Sequence, residues 1–423
     1  VAGYLLLHEK MGKLDRRRLL RPAIQLAEKG FLVDRGLHES LKEAAPRLRR
    51  FPETAAIFLP GGAPPAVGNV LAQPELARTL RAIAESGALG FYSGRVADDI
   101  ARGSREYGGI LRRSDLEAYQ AKTREPLRRR WRGHDVLTVP PPSSGGIALL
   151  QMLSMFEVVD YAAMRPEQRI HFFAEVARRA FADRAGYLGD PDFSEVPVAR
   201  LLDPEYLRAR MTSIEMTRAH SSGEVAAGLG PAPESEATCH FSVVDRDGRA
   251  VSCTTTLNGA YGCGLAAAGV LLNNEMDDFT TKPGAPNSYG LVQSGRNSIA
   301  PGKRPISSMT PTILLRDGKP WLVLGSPGGP TIISTVCQVI LNVEALGMDL
   351  PSAVAAPRVH HQWLPDEIVY ERIGARERHL LEGLGHKLAK RARPIGDVQA
   401  IAIEGDGTVT GASDPRGRGR EAW

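Results

Sequence analysis

Two textures of apolar and polar positions meet just past the middle of this chain. Upstream, apolar residues recur at helical spacing. Residues 15–30 (DRRRLLRPAIQLAEKG) predict a helix that ends at a glycine, and residues 166–190 (PEQRIHFFAEVARRAFADRAGYLGD) predict a longer one, each with an Arg/Glu-rich face. A single strand-like piece, HDVLTV, runs into the rigid turn PPPSSGG at residues 140–146 and then into the apolar helix IALLQMLSMFEVV. The serine–glycine end of that turn is either a cap with a tight turn or an anion site at a helix N-terminus. Residues 219–237 (AHSSGEVAAGLGPAPESEA) lack apolar periodicity and predict an exposed loop. Beyond it the period changes to two. HFSVVDRDGRAVSCTTTL, PTILLRDGKPWLVLGSPGG and VQAIAIEGDGTVTGASD each place an Asp-Gly turn between strand-like runs, which predicts hairpins in an antiparallel sheet. Helices before, between and after the hairpins define an α+β fold.

Composition narrows the function. With 423 residues and 43% hydrophobic content the chain can bury a substantial core, and its apolar runs fall short of a membrane span. The formal charge of +5 comes largely from arginine clusters such as residues 46–50 and 127–133, dispersed among 48 acidic residues. No nucleic-acid motif accompanies them, so they read as a solvated surface. Cys239, Cys253, Cys263 and Cys337 show neither a CxxC pair nor metal-ligand spacing. His360 and His361 lack partners at such spacing and read as structural, as does the strand histidine His240; no metal or organic cofactor is expected.

The chemistry gathers at ESEATCHFSVVDRDGRAVSCTTTLN, where a polar linker stops at a threonine that opens a hairpin. A threonine hydroxyl needs a base beside it, and a terminal α-amine, with a pKa of about 8, is one that an N-terminal threonine carries itself. Thr238 acquires that amine only if the bond after Ala237 breaks. Its own hydroxyl could break it by attacking the Ala237 carbonyl, shifting the acyl group from nitrogen to oxygen and leaving an ester for water to cleave.

At these residues the chain resembles the γ-glutamyltransferase (glutathione hydrolase) family. The resemblance lies in ESEATCHFSVVDRDGRAVSCTTTLNGAYGCG, LLNNEMDDFTTKPGAPNSYGLV, GKRPISSMTPT and GSPGGPTIIS, in that order, with REPLRRRWRGHDVLTVPPPSSGG and RPAIQLAEKGF upstream. It implies a four-layer αββα sandwich of the N-terminal-nucleophile hydrolase type with antiparallel central sheets. It further implies a precursor cut between Ala237 and Thr238 into a helix-rich portion, residues 1–237, and a small catalytic subunit, residues 238–423, paired as a heterodimer. By the same resemblance Thr238 is the nucleophile and Thr256 positions it. Asn258, Glu275 and Asp278 hold the donor's α-amino group, Ser307 and Ser308 its α-carboxylate, Gly328 and Gly329 form the oxyanion hole, and Tyr289 is a lid residue. The implied partners are glutathione or other γ-glutamyl compounds, with water, an amino acid or a dipeptide as acceptor, and the implied location is periplasmic or extracellular.

These assignments suit elementary chemistry. An amino-acid head group requires acidic acceptors and, separately, hydroxyl or cationic donors, which NNEMDDF and PISSM supply. Paired glycines let backbone N–H groups approach an oxyanion. Singly, each residue also has a structural use: Glu275 and Asp278 as a solvated turn, Ser307 and Ser308 as loop caps, Gly328 and Gly329 as a tight turn, Thr238 and Thr256 as strand residues. Cys239 and Arg249 depart from the family pattern, and no residue matches the family's upstream carboxylate-binding arginine, so the sequence is expected to be N-terminally incomplete. The alternatives are a related acylase of the glutaryl or cephalosporin type, a poly-γ-glutamate hydrolase, or an unprocessed binding or scaffold protein with a decayed site.

Overall fold

The computed structural model describes residues 1–225, 238–280, 282, 285, 287–288, 290–291 and 293–422. Ala237 and Tyr289 lie outside the described residues. Two compact units form, and neither is contiguous: Val1–Arg124 joins Gly259–Asn274, and Glu125–Asn258 joins Glu275–Trp423.

The first unit is mostly helical. Helix α1 (Arg16–Lys29) starts at Asp15, whose carboxylate accepts from the Arg17 and Arg18 amides, and α2 (Arg35–Leu48) starts the same way at Asp34. Helices α3 (Pro74–Ser86) and α4 (Gly94–Glu106) follow. Leu41, Leu48, Phe58, Leu59 and Leu71 close one small core. The returning segment Gly259–Asn274 is tied in by polar bonds: Tyr261 donates to Ser40, the Ala266 amide to Thr54 and the Thr79 hydroxyl to the Ala268 carbonyl.

The second unit is built on a six-stranded sheet and a separate hairpin. Strands β1 (Leu127–Trp131) and β2 (His134–Thr138) precede the hairpin β3 (Thr238–Val244) and β4 (Ala250–Thr256). Then come β5 (Thr312–Arg316), β6 (Lys319–Gly325), β7 (Gln399–Ile403) and β8 (Val409–Ser413). The sheet runs β8–β7–β6–β5–β2–β1, antiparallel throughout, with Val136 opposite Leu314 and Leu137 opposite Ile313 where β2 meets β5. All three Asp-Gly turns close hairpins as expected. β1 is an addition: its residues, read from sequence as an arginine-rich surface, alternate with the pleat, so that Arg128 and Arg130 are exposed while Trp131 is buried.

On one side of this sheet pack α5 (Gly145–Glu157), α6 (Pro166–Tyr187) and α7 (Thr331–Glu344), in a core that includes Trp131, Leu149, Phe173, Phe181 and Ile340. Helix α6 departs from the amphipathic expectation. It is buried around most of its circumference, and its charged residues go in with it. Glu175 is held there by Arg178 and by Arg179, 2.6 Å away, because buried charges must be paired.

The β3–β4 hairpin lies on the other side, against β6 and β7. Its pairing sets Thr238 opposite Thr256, His240 opposite Thr254 and Ser242 opposite Ser252. This polar face turns inward. Ser242 donates to the Gln399 carbonyl (3.1 Å) and Ser252 to the Leu324 carbonyl (2.9 Å), so hydroxyls rather than methyl groups hold the hairpin to the sheet. The alternate residues Phe241, Val243 and Val251 face outward and stay exposed.

Candidate active site

The inward hairpin face ends at Thr238 and Thr256, and their hydroxyl oxygens are 3.3 Å apart. The Thr256 oxygen also accepts from the Asn258 amide at 2.8 Å. The Thr238 hydroxyl is the donor in the bond between the two threonines. Asn258 is buried and has a left-handed backbone (φ 68°), which turns the chain sharply after β4.

Thr238, Thr256 and Asn258 line one pocket of the second unit together with Asp278, Ser307, Ser308 and Gly329; its empty volume is about 320 Å³. Glu275 stands behind Asp278 and shares a hydrogen bond with it on a single turn of 3₁₀ helix, Glu275–Asp278. Burial, the Glu275 charge and that bond push the Asp278 carboxyl up to about 8, while Glu275 is also raised by burial. The pair therefore shares a proton near neutral pH.

Gly328 and Gly329 sit between β6 and α7. Gly328 has φ 132° and Gly329 φ 53°, and a β-carbon on Gly328 would lie 2.4 Å from the Thr331 hydroxyl. Their carbonyls accept from the Thr331 and Ile332 amides. Their own N–H groups donate to nothing among the described residues, as an oxyanion site requires.

The serine pair is braced from a region that the sequence left ambiguous. In the PPPSSGG turn, Ser143 donates to the Met309 carbonyl (2.7 Å) and Ser144 to the Ser307 carbonyl (2.6 Å). These hydroxyls are used on the loop that carries Ser307 and Ser308, and the Ser144 side chain makes no capping bond to its own helix. Arg184, near the end of α6, also lines the pocket and was missed. A signal was present: three residues after Phe181 and seven after Ala177 it occupies the apolar phase of its helix, where an unpaired arginine is out of place.

The remaining candidates stay apart from this chemistry. His240 is buried and bonds Thr254 (2.8 Å) and Ser242 (3.2 Å); burial lowers it to about 4, so it is neutral. His360 bonds Ser334 and His361 bonds Asp366. No cluster that could hold a metal is present among the described residues. Arg249 closes the hairpin turn by pairing with Asp245 and Asp247, both at 2.8 Å. None of the four cysteines is in a disulfide among the described residues, and Cys239 is exposed.

Mixed helices and antiparallel sheets in this arrangement define the N-terminal-nucleophile hydrolase class. The structure superposes on the cephalosporin acylase from Bacillus halodurans with a TM-score of 0.83 at 26% identity, covering 98% of this chain and 75% of that one. Within the class, the chain belongs to the γ-glutamyltranspeptidase family, whose family model matches residues 1–423. It is 43% identical over 422 residues to the glutathione hydrolase proenzyme of Escherichia coli (strain K12), spanning 98% of this chain and 73% of that protein. It is also 37% identical over 410 residues to the acylase ACY 1 proenzyme of Pseudomonas sp. (strain SE83), spanning 96% of this chain and 70% of that protein.

Proposed function

We propose that this protein is an autoprocessing γ-glutamyltransferase and glutathione hydrolase that works through a threonyl acyl-enzyme. The observation that carries the reading is the convergence of Thr238, Ser307, Ser308, Asp278 and Gly329 around one pocket, with Glu275 bonded to Asp278 and Gly328 next to Gly329 in the chain.

In the precursor, Thr238 Oγ1 attacks the Ala237 carbonyl, with Thr256 Oγ1 accepting its hydrogen bond. The C–N bond breaks as the Thr238 nitrogen takes up the hydroxyl proton, an ester forms, and water hydrolyses it to release residues 1–237 from residues 238–423. The freed α-amine of Thr238 then accepts the proton from Oγ1 as that oxygen attacks the γ-carbonyl of the donor. The oxyanion lies against the Gly328 and Gly329 amides, worth roughly 3–4 kcal/mol per donor in comparable sites. The leaving amine departs with the proton, and water or the amine of an amino acid or dipeptide resolves the ester. Asp278, Glu275 and Asn258 hold the donor's ammonium, while Ser307 and Ser308 donate to its carboxylate. An exported location belongs to the same proposal.

Intact-mass analysis of the full-length protein beside Thr238→Ala tests it. Two fragments, the second starting at Thr238 and absent from the variant, are expected; a single uncut chain in both preparations would defeat the proposal and favour a scaffold role. A second reading, an acylase for glutaryl-type side chains, is favoured by the acylase relatives. The carboxyl pair argues for a donor bearing an ammonium, and comparison of γ-glutamyl with glutaryl anilides separates the two.

A further inference from the structure

We propose that Arg184 is the positioning residue of the carboxylate subsite: its guanidinium holds Ser308 as an acceptor, which frees the Ser308 proton for the donor, and places a fixed positive charge behind the serine pair. This deepens the γ-glutamyl reading and rests on it.

Arg184 is 2% exposed. Its Nε donates to Ser144 Oγ at 2.9 Å, and Ser144 in turn donates to the Ser307 carbonyl at 2.6 Å. Its Nη2 reaches Ser308 Oγ at 3.4 Å, while Nη1 is buried with no partner among the described residues. The serine pair shows matching polarity. Ser307 Oγ accepts from the Met309 amide at 3.0 Å and Ser308 Oγ from Arg184, so in both the oxygen is engaged as an acceptor. Neither hydroxyl proton has an acceptor among the described residues. Two free O–H donors beside a buried cation with an unused N–H form a receptor for an anion with two oxygens.

The acids nearby do not satisfy that cation. Asp278 lies in the same pocket wall, but burial and the neighbouring Glu275 raise its carboxyl, and Arg184 forms no ion pair with it. Burial itself lowers Arg184 to about 10, which still leaves it charged at neutral pH, with Asp278 acting in the opposite direction. A buried charge without a counterion is costly, and a bound carboxylate returns that cost.

The test uses three 4-nitroanilides with the full-length protein: γ-glutamyl, the same compound without its carboxylate (4-aminobutanoyl), and the same without its ammonium (glutaryl). Arg184→Met should lower kcat/KM roughly 10- to 100-fold on the γ-glutamyl and glutaryl compounds, mainly through KM, and leave the 4-aminobutanoyl rate nearly unchanged. Arg184→Lys, which keeps the charge and loses the fork, should recover part of the loss. It also serves if the methionine variant does not fold. Equal losses on all three compounds in a folded, cleaved variant would reduce Arg184 to scaffolding, and no loss on any would overturn the proposal outright. Wild-type preference for the glutaryl compound would sink the γ-glutamyl reading while leaving the Arg184 comparison intact; wild-type inactivity on all three would remove both.

Discussion

At the scale of single residues, the Glu275–Asp278 pair makes the clearest demand. A donor ammonium binds a carboxylate better than a carboxylic acid, and burial with the Glu275 charge raises the Asp278 carboxyl to about 8, so that the pair keeps one proton at neutral pH. The kcat/KM for a γ-glutamyl donor should therefore rise as pH increases through that region, with an apparent pKa that belongs to the pair. Asp278→Asn should lower the rate and flatten the rise, and a pH–rate series checks both. Stability runs the other way. The folded state keeps a proton that an unfolded aspartate loses near pH 4, so this group's contribution is fully present below about pH 4 and declines as pH rises towards 8. Asp278→Asn should accordingly gain in Tm over the parent most at pH 8 and above, as thermal melts at pH 5 and pH 9 would reveal. Thr256 makes a second demand. Thr256→Val leaves the Asn258 amide without its acceptor, a loss of about 1–3 kcal/mol for a buried donor, and should slow both self-cleavage and turnover. Thr256→Ser, which keeps the oxygen, should restore most of each; timed gels and initial rates report the two effects.

At the scale of elements, the hairpin positions the nucleophile by packing a polar face inward. This works because the inward serine hydroxyls find backbone groups of the six-stranded sheet, as Ser252 does with the Leu324 carbonyl and the Thr312 amide, while the threonines bond within the hairpin. The two layers approach closely at Gly325, where a β-carbon would lie 2.2 Å from the His240 ring. Gly325→Ala should therefore cost about 1–3 kcal/mol, read from denaturant unfolding, and removing the ring in a His240→Ala, Gly325→Ala double variant should return part of it. The hairpins themselves were legible in the sequence, because an Asp-Gly pair between strand-forming runs specifies a turn locally. The inversion of the β3–β4 faces was not. Alternation shows that Thr238, His240 and Ser242 share a side, yet which side meets the sheet depends on where the carbonyls of β6 and β7 stand.

At the scale of the whole molecule, the six-stranded sheet takes β1 and β2 from before residue 237 and its other four strands from after it. Cleavage before Thr238 would leave the β2–β5 ladder and the shared core of α5, α6 and α7 intact. The two fragments should elute together in native gel filtration and separate only in denaturant; elution as two species without denaturant would contradict this topology. The long helices α1 and α6, the three hairpins with their turns, the family and the ordered run from Thr238 to Gly329 were set by sequence, because each is written in local spacing or in short contiguous motifs. Tertiary structure alone decided that residues 259–274 fold with the first unit, that α6 buries its charges, and that Arg184 reaches a serine 124 positions along the chain. Burial and pairing of charge depend on which surfaces meet, and a contact between residues so far apart leaves no periodic trace in the sequence between them.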